Sequence, residues 1–480
     1  MRRNLQSRSR HAVVIGGSIA GLCAARVLSD HFDRVTIYER DELPDEPVNR
    51  SAIPQGQHVH LLMARGAQEL ESVFPGLLAD MAAAGIPVVR NQPESIHFSA
   101  AGYVLGTGRQ DLEGKFTAYL PSRGHLEWQI RKRVLALPSV DVQRRVVSNP
   151  QFDATARAVT GVVLDDGQTV AADLVVDASG RGSRLPVWFE QWGYGRPRED
   201  AVQVGVTYAS QRVHIPEGLI TEKMVVVGAA LDRPRGMGML FHEDGIWIVT
   251  AFGVGKAEPP RDFAGICKLA DTVLPSHISA ALREGEQVGG MNFHRYPTAK
   301  WRRYDKLSDL PSGIIPFGDA VASLNPTFGQ GVTMSALQAS NLRVVLADGT
   351  QDLPGRLARA TAKTTFPVWL MNAVADVEEH GAQGSRPFWY GPVFGLFKQF
   401  VGAAETDPVL AEWFLRRTSL LDSLWLLPTP RLIGRAIRNN LRLMRAERHR
   451  ARTGGAPAAD DAAVRQAVER TEPTLSAPAE

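Results

Sequence analysis

Two glycine-rich turns carry the residues best suited to chemistry. Gly16-Gly17-Ser18-Ile19-Ala20-Gly21 stands between an apolar run, His11 to Ile15, and a helical run, Leu22 to Leu28. A glycine at the strand end permits a sharp turn, and one at the helix start permits close packing on the sheet. Exposed backbone N–H groups and the helix dipole then favour a pyrophosphate. The middle glycine of the usual G-x-G-x-x-G spacing is Ser18, which sets a side chain where backbone should approach phosphate; Gly17 and a small serine still allow that approach. Glu39 ends the following strand, Val35 to Glu39, near the usual spacing for an acid that hydrogen-bonds the adenosine ribose. A carboxylate there repels a 2′-phosphate, so FAD or NAD fits better than NADP.

The second turn is Gly318-Asp319-Ala320 with Asn325-Pro326-Thr327-Phe328-Gly329-Gln330-Gly331 behind it. An apolar strand drops into an acid, and a Pro/Gly turn then opens a helix. The carboxylate can accept hydrogen bonds from polyol hydroxyls. The amides at Gly329 to Gly331 can meet a flavin's pyrimidine edge, where negative charge gathers on reduction. Alone, Asp319 reads equally as a turn cap; the first turn has a plain βα connection as its alternative, but its place between strand and helix and the acid at Glu39 favour a dinucleotide. Together they favour a dinucleotide.

The elements that must hold these turns follow a recognisable order. Strand, turn, helix and second strand at the N-terminus make a βαβ-sized unit, followed by a Pro/Gln/His-rich loop over 50–62 and a helix near 64–74. Short strands with glycine breaks occupy 97–120, and a helix over 126–137 starts after Ser122-Arg123-Gly124-His125. A hairpin over 159–170 turns at Asp165-Asp166-Gly167, ahead of a buried strand, Asp173 to Asp177. Alternation over 202–209, 223–229 and 246–252 marks an antiparallel sheet. An apolar strand returns at 313–317, a helix starts near Val332, and the chain is mostly helical from 350 to 450. The fold class expected is α/β. A Rossmann-like FAD-binding domain is assembled from 1–90, 121–195 and 306–350. A mostly antiparallel substrate domain (91–120 and 196–305) is inserted in it, with a helical region over 351–452 and a disordered tail over 453–480.

Composition bounds the function. The 480 residues are too many for one ordinary core. With 44% hydrophobic and 22% charged residues they have a soluble protein's balance. A net charge of +3 gives no case for a nucleic-acid binder. Cys23 and Cys267 cannot build a disulfide framework or a four-ligand zinc site, so no metal is expected. The nearly uncharged stretch 12–25 is too short to span a bilayer, no signal-peptide cleavage pattern precedes it, and the expected location is cytoplasmic.

Three segments resemble the flavoprotein monooxygenase superfamily of the aromatic hydroxylases and squalene epoxidase: Val13 to Gly21, Leu174 to Ser183, and Gly318-Asp319-Ala320 with Asn325-Pro326 and Gly329-Gln330-Gly331. Pro54 to His60 and Glu243 to Val249 are similar to the bacterial polyether polyene epoxidases within it. The resemblance spans about 11–350. It implies bound FAD and oxygen insertion through a flavin C4a-hydroperoxide. By position, Gly16, Gly21 and Glu39, with Gly17, Ser18, Ala20 and Arg40 beside them, would hold the ADP half. Arg123 matches an arginine near the diphosphate and ribityl region. Gly318 and Asp319 would meet the ribityl chain, and Pro326 with Gly329, Gln330 and Gly331 the isoalloxazine edge.

The chain departs from the hydroxylases at two places. Their Asp-Gly pair in the middle motif reads Ser179-Gly180 here, so the electron donor, NADH or NADPH, acts directly or through a separate flavin reductase. An Asn usual two residues past the last glycine is replaced by Val332-Thr333. His58 and His60 flank a loop near the flavin, and neither is assigned as a base. Electrophilic oxygen transfer needs chiefly a dry cavity, whose wall the aromatics Phe241, Trp247 and Phe252 could supply, although they equally fit ordinary core packing.

The function expected is an FAD-dependent monooxygenase that epoxidises or hydroxylates a hydrophobic natural product. An isoprenoid double-bond reductase and a non-catalytic flavin redox protein are the alternatives. A halogenase fits less well, because the Trp-x-Trp-x-Ile-Pro signature is absent. Arg431 to Arg452 holds eight arginines against one glutamate, with Leu432, Ile433, Ala436, Ile437, Leu441 and Met444 near one helical face. It reads as a helix packed on the protein body with a solvated basic side; an interfacial helix on a membrane is the alternative.

Overall fold

The computed structural model describes residues 9–50, 53–90, 92–100, 102–105, 117–230, 232–379, 390–424 and 428–453. The expected disordered tail lies outside them, save Thr453.

Five strands pair in parallel in the order Ile314–Pro316 (β17), Leu174–Asp177 (β11), His11–Ile15 (β1), Arg34–Glu39 (β2) and Val140–Arg144 (β7). They come from well-separated parts of the chain. The central strands are apolar runs because both faces are covered, and Ala12, Val13 and Val14 are wholly buried. On one face lie Ile19–Leu28 (α1), Ala64–Val73 (α2), Leu77–Ala83 (α3), Arg123–Leu135 (α4) and Gly331–Ala347 (α8). Leu22, Leu70, Phe74, Leu126 and Leu342 join the strand side chains Ile37 and Ile315 in one core there.

An eight-stranded sheet runs Ala322–Ser323 (β18), Glu286–Arg302 (β16), Glu199–His214 (β12), Ile246–Gly253 (β15), Arg235–Phe241 (β14), Met224–Val227 (β13), Ile96–Ala100 (β4) and Tyr103–Val104 (β5). It is antiparallel except where β13 meets β4. The short β18 starts three residues past Asp319 and pairs with β16, which ties this sheet to the second glycine turn. Leu185–Gln191 (α5), Phe263–Val273 (α6) and Ser276–Arg283 (α7) are short helices, of which α6 and α7 pack on the far face of the large sheet. Two small antiparallel sheets complete the strands: Val147–Asp153 (β8) with Ala158–Leu164 (β9) and Thr169–Ala171 (β10), and Val88–Arg90 (β3) with Thr117–Tyr119 (β6).

The C-terminal helices are Leu353–Glu379 (α9), Tyr390–Ala404 (α10), Pro408–Thr418 (α11) and Pro430–Thr453 (α12). Phe400, Val401, Leu410 and Phe414 pack against Ile96, Met224 and Leu240 of the sheet.

One local expectation needs correction, and four elements were not singled out. Arg123 is the first residue of α4 rather than part of the preceding loop: Ser122 caps the helix, its hydroxyl accepting the His125 N–H at 3.2 Å. Strands β14 and β16 and helices α6 and α7 were not expected. The sequence of β14 alternates glycine with methionine, and β16 carries Gly289, Gly290 and Pro297. The glycines and proline weaken the local strand signal in both, and pairing with their neighbours on both sides holds them extended.

Candidate functional site

Backbone contact fixes the first turn. Gly16 has φ of +104°, and a Cβ on it would stand 2.6 Å from the Ala178 carbonyl oxygen, the residue just past β11. Gly21 is tighter, since its Cβ would lie 1.9 Å from the Gly16 oxygen. Only glycine lets α1 start this close to the sheet. The Gly17 N–H donates to Glu39 Oε2 at 2.8 Å, joining the turn to the end of β2.

Ser18 turns its hydroxyl toward α4. Its hydroxyl donates to Glu127 Oε2 at 3.1 Å and accepts from Arg123 Nη2 at 3.1 Å. Arg50 Nε donates to Glu127 Oε1 at 2.8 Å, and its Nη1 lies 3.3 Å from Glu39 Oε2. Glu39, Arg50, Glu127 and Arg123 thus form a buried chain of alternating charge. The Arg123 Nη1 atom is buried and has no partner. Burial presses the Arg123 pKa downward and Glu127 lifts it, but a guanidinium stays charged. An unpaired buried cationic N–H is costly, and a diphosphate oxygen would satisfy it. The donor set therefore fits the diphosphate of FAD.

The second turn leans on the first. Gly318 has φ of +64°, and its Cβ would lie 2.6 Å from that of Ala20. Its N–H donates to Gln338 Oε1 at 2.8 Å. Arg302 holds the turn from beneath, donating to the Ala320 oxygen at 3.0 Å and the Arg181 oxygen at 2.8 Å. Burial pushes the Asp319 carboxyl above the usual carboxylate range, opposed by the Ser323 hydroxyl and the charges of Arg123, Arg181 and Arg302. Behind it, α9 anchors the Pro/Gly segment: Asn325 donates to Asp376 at 2.6 Å, and Asn372 to Gln330 Oε1 at 2.9 Å. Gly329 has φ of +67° and swings the chain into α8.

Both turns open on one cavity of about 2020 Å³. A pocket for one small ligand occupies roughly 300–1,000 Å³, so there is room for a dinucleotide and a second molecule. Midway, the rings of His58, Tyr208 and His294 gather, with centroids 5.5 to 6.5 Å apart. His58 Nδ1 pairs with the Ser210 hydroxyl at 2.7 Å, and Ser210 with Thr250 at 2.6 Å. Burial, aided by His294, pushes the His58 pKa down to about 4, so the ring is neutral at pH 7. The buried Tyr208 hydroxyl has no partner. Beyond this cluster the walls turn apolar, with Met224 and Val226 from the sheet facing Phe397, Phe400 and Phe414 from α10 and α11.

Gly16, Ser18, Ala20, Glu39, Arg40, Arg123, Asp319, Pro326, Gly329, Gln330 and Gly331 all line this cavity. Gly17, Gly21 and Gly318 do not; they are the close contacts that let the others converge. Phe252 lines it, whereas Trp247 and Phe241 pack against each other, tilted and with ring centroids 5.4 Å apart, in the core shared with α6 and α7. Thr333 is wholly buried against Gly66 of α2 rather than turned to the cavity. Arg50, Glu127, Tyr208, Ser210, Thr250 and His294 were not singled out from the sequence. Arg50 meets Glu127 across 77 positions and His58 meets Ser210 across 152, and no local pattern marks such pairs.

The fold is that of the FAD-dependent monooxygenases. The chain superposes on p-nitrophenol 4-monooxygenase PnpA from Pseudomonas putida DLL-E4 with a TM-score of 0.59 and 17% identity, covering 85% of this chain and 97% of that one. The flavin-dependent brominase Bmp2 gives 0.60 and 15%, covering 90% and 99%. PqsL, a probable FAD-dependent monooxygenase from Pseudomonas aeruginosa, gives 0.56 and 16%, covering 81% and 100%. At such identities the likeness concerns the fold alone. Residues 384–451, the region of α10 to α12, match the family described as the Mycobacterium Rv3254 C-terminal domain. Protein Rv3254 of Mycobacterium tuberculosis (strain ATCC 25618 / H37Rv) is 57% identical over 456 residues, covering 92% of this chain and 96% of that protein. With most residues shared over nearly the full length of both, the chain belongs to the Rv3254 family.

Proposed function

We propose that the protein is an FAD-dependent monooxygenase that places one oxygen atom from O2 on an apolar substrate, by epoxidation or hydroxylation. One observation carries this reading: a single cavity joins both glycine turns to an apolar chamber. Reduced FAD would supply the electrons and activate oxygen. The chain's own groups bind and enclose. Arg123 and the start of α1 receive the diphosphate, Asp319 accepts from the ribityl hydroxyls, and the N-terminus of α8 meets the isoalloxazine edge. Met224, Val226, Phe397, Phe400 and Phe414 keep water from the substrate. His58, neutral and bonded to Ser210, orients the middle of the cavity without adding charge.

The electron donor in this reading is NADH or NADPH, used directly or through a flavin reductase. Ser179 supports the reductase route. Its N–H donates to Asp177 Oδ1 at 3.1 Å and its hydroxyl to the same oxygen at 2.5 Å, while Ser183 bonds the other carboxylate oxygen. The Asp177 carboxylate is thus fully engaged, and position 179 offers no acid of its own.

The deciding experiment reduces the FAD-loaded protein without oxygen, then adds ¹⁸O₂ together with a panel of polyenes, isoprenoids and aromatics. A product bearing one ¹⁸O atom is expected. A product that has gained two hydrogens and no label would make the protein a double-bond reductase. Failure of the purified chain to retain or take up FAD would overturn the reading altogether.

A further inference from the structure

Helix α12 presents three faces. Leu432, Ala436 and Leu443 turn toward the protein, and Asn439 fastens the helix by donating to the Ala403 oxygen at 2.7 Å and Thr406 Oγ1 at 2.9 Å. A second face carries Arg431, Arg438, Arg442 and Arg445, all exposed. The third carries Ile433, Ile437, Leu441 and Met444, whose spacing sets them in one stripe. They are 46%, 56%, 48% and 46% exposed. The apolar face expected to pack on the body is therefore divided, and four of its five larger side chains, all but Leu432, point outward.

The stripe begins at the cavity. Ile433 and Ile437 line its apolar end together with Leu396 of α10, which is 73% exposed. A row of large apolar side chains thus runs from the chamber's rim along the outside of a basic helix. The molecule is also polarised. The whole chain has a net charge of +3, yet this helix holds eight arginines and one glutamate, so the remainder is net acidic.

We propose that α12 seats the protein on an anionic phospholipid bilayer, with the stripe in the acyl boundary and the arginines among the headgroups, so that the cavity mouth opens onto the membrane. Charge complementarity selects this occupant. A second copy docked stripe to stripe would bring two arginine faces together, whereas an anionic surface neutralises them. Among the described residues no helix is long and apolar enough to cross a membrane, so the contact is peripheral. The seat is independent of the chemistry proposed for the cavity.

The test is co-sedimentation of the full chain with vesicles of phosphatidylcholine alone or mixed with phosphatidylglycerol, with no substrate and no turnover. Partitioning about tenfold or more stronger onto the anionic vesicles is expected, weakened by salt. Leu441→Asp with Met444→Asp should abolish it. Arg438→Glu with Arg442→Glu and Arg445→Glu should remove the preference for anionic lipid. All these side chains are exposed, and circular dichroism checks that the variants fold. Equal partitioning onto both vesicles, or binding unchanged in either variant, would overturn the proposal. So would a dimer in light scattering that the Leu441/Met444 variant splits while no vesicle binding is seen, which would make the stripe a contact between copies.

Discussion

Arg123 and Asp319 face the same cavity with opposite liabilities. Arg123 keeps one buried N–H without a partner, and Glu127 would retain Arg50 without it, so its removal should be felt strongly when the ligand binds. A charge-assisted hydrogen bond contributes about 1.5–3 kcal/mol, so Arg123→Ala should raise the Kd for FAD by roughly 10- to 100-fold. Arg123→Lys, with charge but no planar fork, should fall between, and fluorescence titration of the apoprotein reads both. Asp319 is a carboxylate that burial disfavours. Asp319→Asn removes that burden but keeps an acceptor, so the apoprotein should melt higher while FAD affinity drops, the trade expected of a strained functional group. A lower apo Tm would mean that the carboxylate is needed for the turn itself. The glycines and Asp319 were legible in the sequence because each obeys a local rule of turn geometry. Ser18 was legible only as a departure. Its reason, a hydroxyl shared by Arg123 and Glu127, exists only once α4 is laid against α1.

At the scale of elements, the βαβ start and the second turn could be read because period and punctuation agree there, as they do for β11 and α8. The Thr333 departure becomes an α2–α8 packing matter. A Cβ on Gly66 would stand 2.4 Å from Thr333 Oγ1, while the next contacts, Leu62 Cδ1 and Thr333 Cα, lie at 3.3 Å. Gly66→Ala should therefore cost about 1–3 kcal/mol through overpacking. Thr333→Ala removes the obstructing hydroxyl, which has no hydrogen-bond partner, and should recover most of that loss in the double variant. A thermodynamic cycle from chemical denaturation reads the coupling. Purely additive effects would mean that α2 relieves the clash by shifting. Such helix-on-helix fits have no sequence signature. The same is true of β14 and β16, which their neighbours hold in strand form, and of α6 and α7, which bury Ile266, Cys267, Ile278 and Leu282 against the sheet.

For the whole molecule, the separated parts of the chain matter because they enclose one chamber and bury side chains within and around it. That burial sets the response to acid: of the histidines concerned, His58, His60 and His294 line the chamber. Seven of the twelve histidines have lowered pKa values: His11, His58, His60, His97, His125, His242 and His294. Burial is the largest cause in each. The unfolded chain takes up these protons near the ordinary value of 6.5, while the folded chain resists them, so acid favours unfolding. Stability from these groups is fully present above about pH 7 and is lost as pH falls through 6.5 toward the folded-state values. Asp319 acts in the opposite sense, being relieved by acid, but it is one group against seven. Tm should therefore hold steady from pH 8 to about 7 and then fall continuously toward pH 5. His58 titrates at about 4 when folded, a shift equivalent to roughly 3 kcal/mol. In His58→Asn, the decline between pH 6.5 and 4 should be shallower by up to that amount. A decline in His58→Asn no shallower than that of the wild type would mean that the chamber, which His58 lines, admits water and protons freely in solution. The dry enclosure that the proposed oxygen chemistry requires would then be lost.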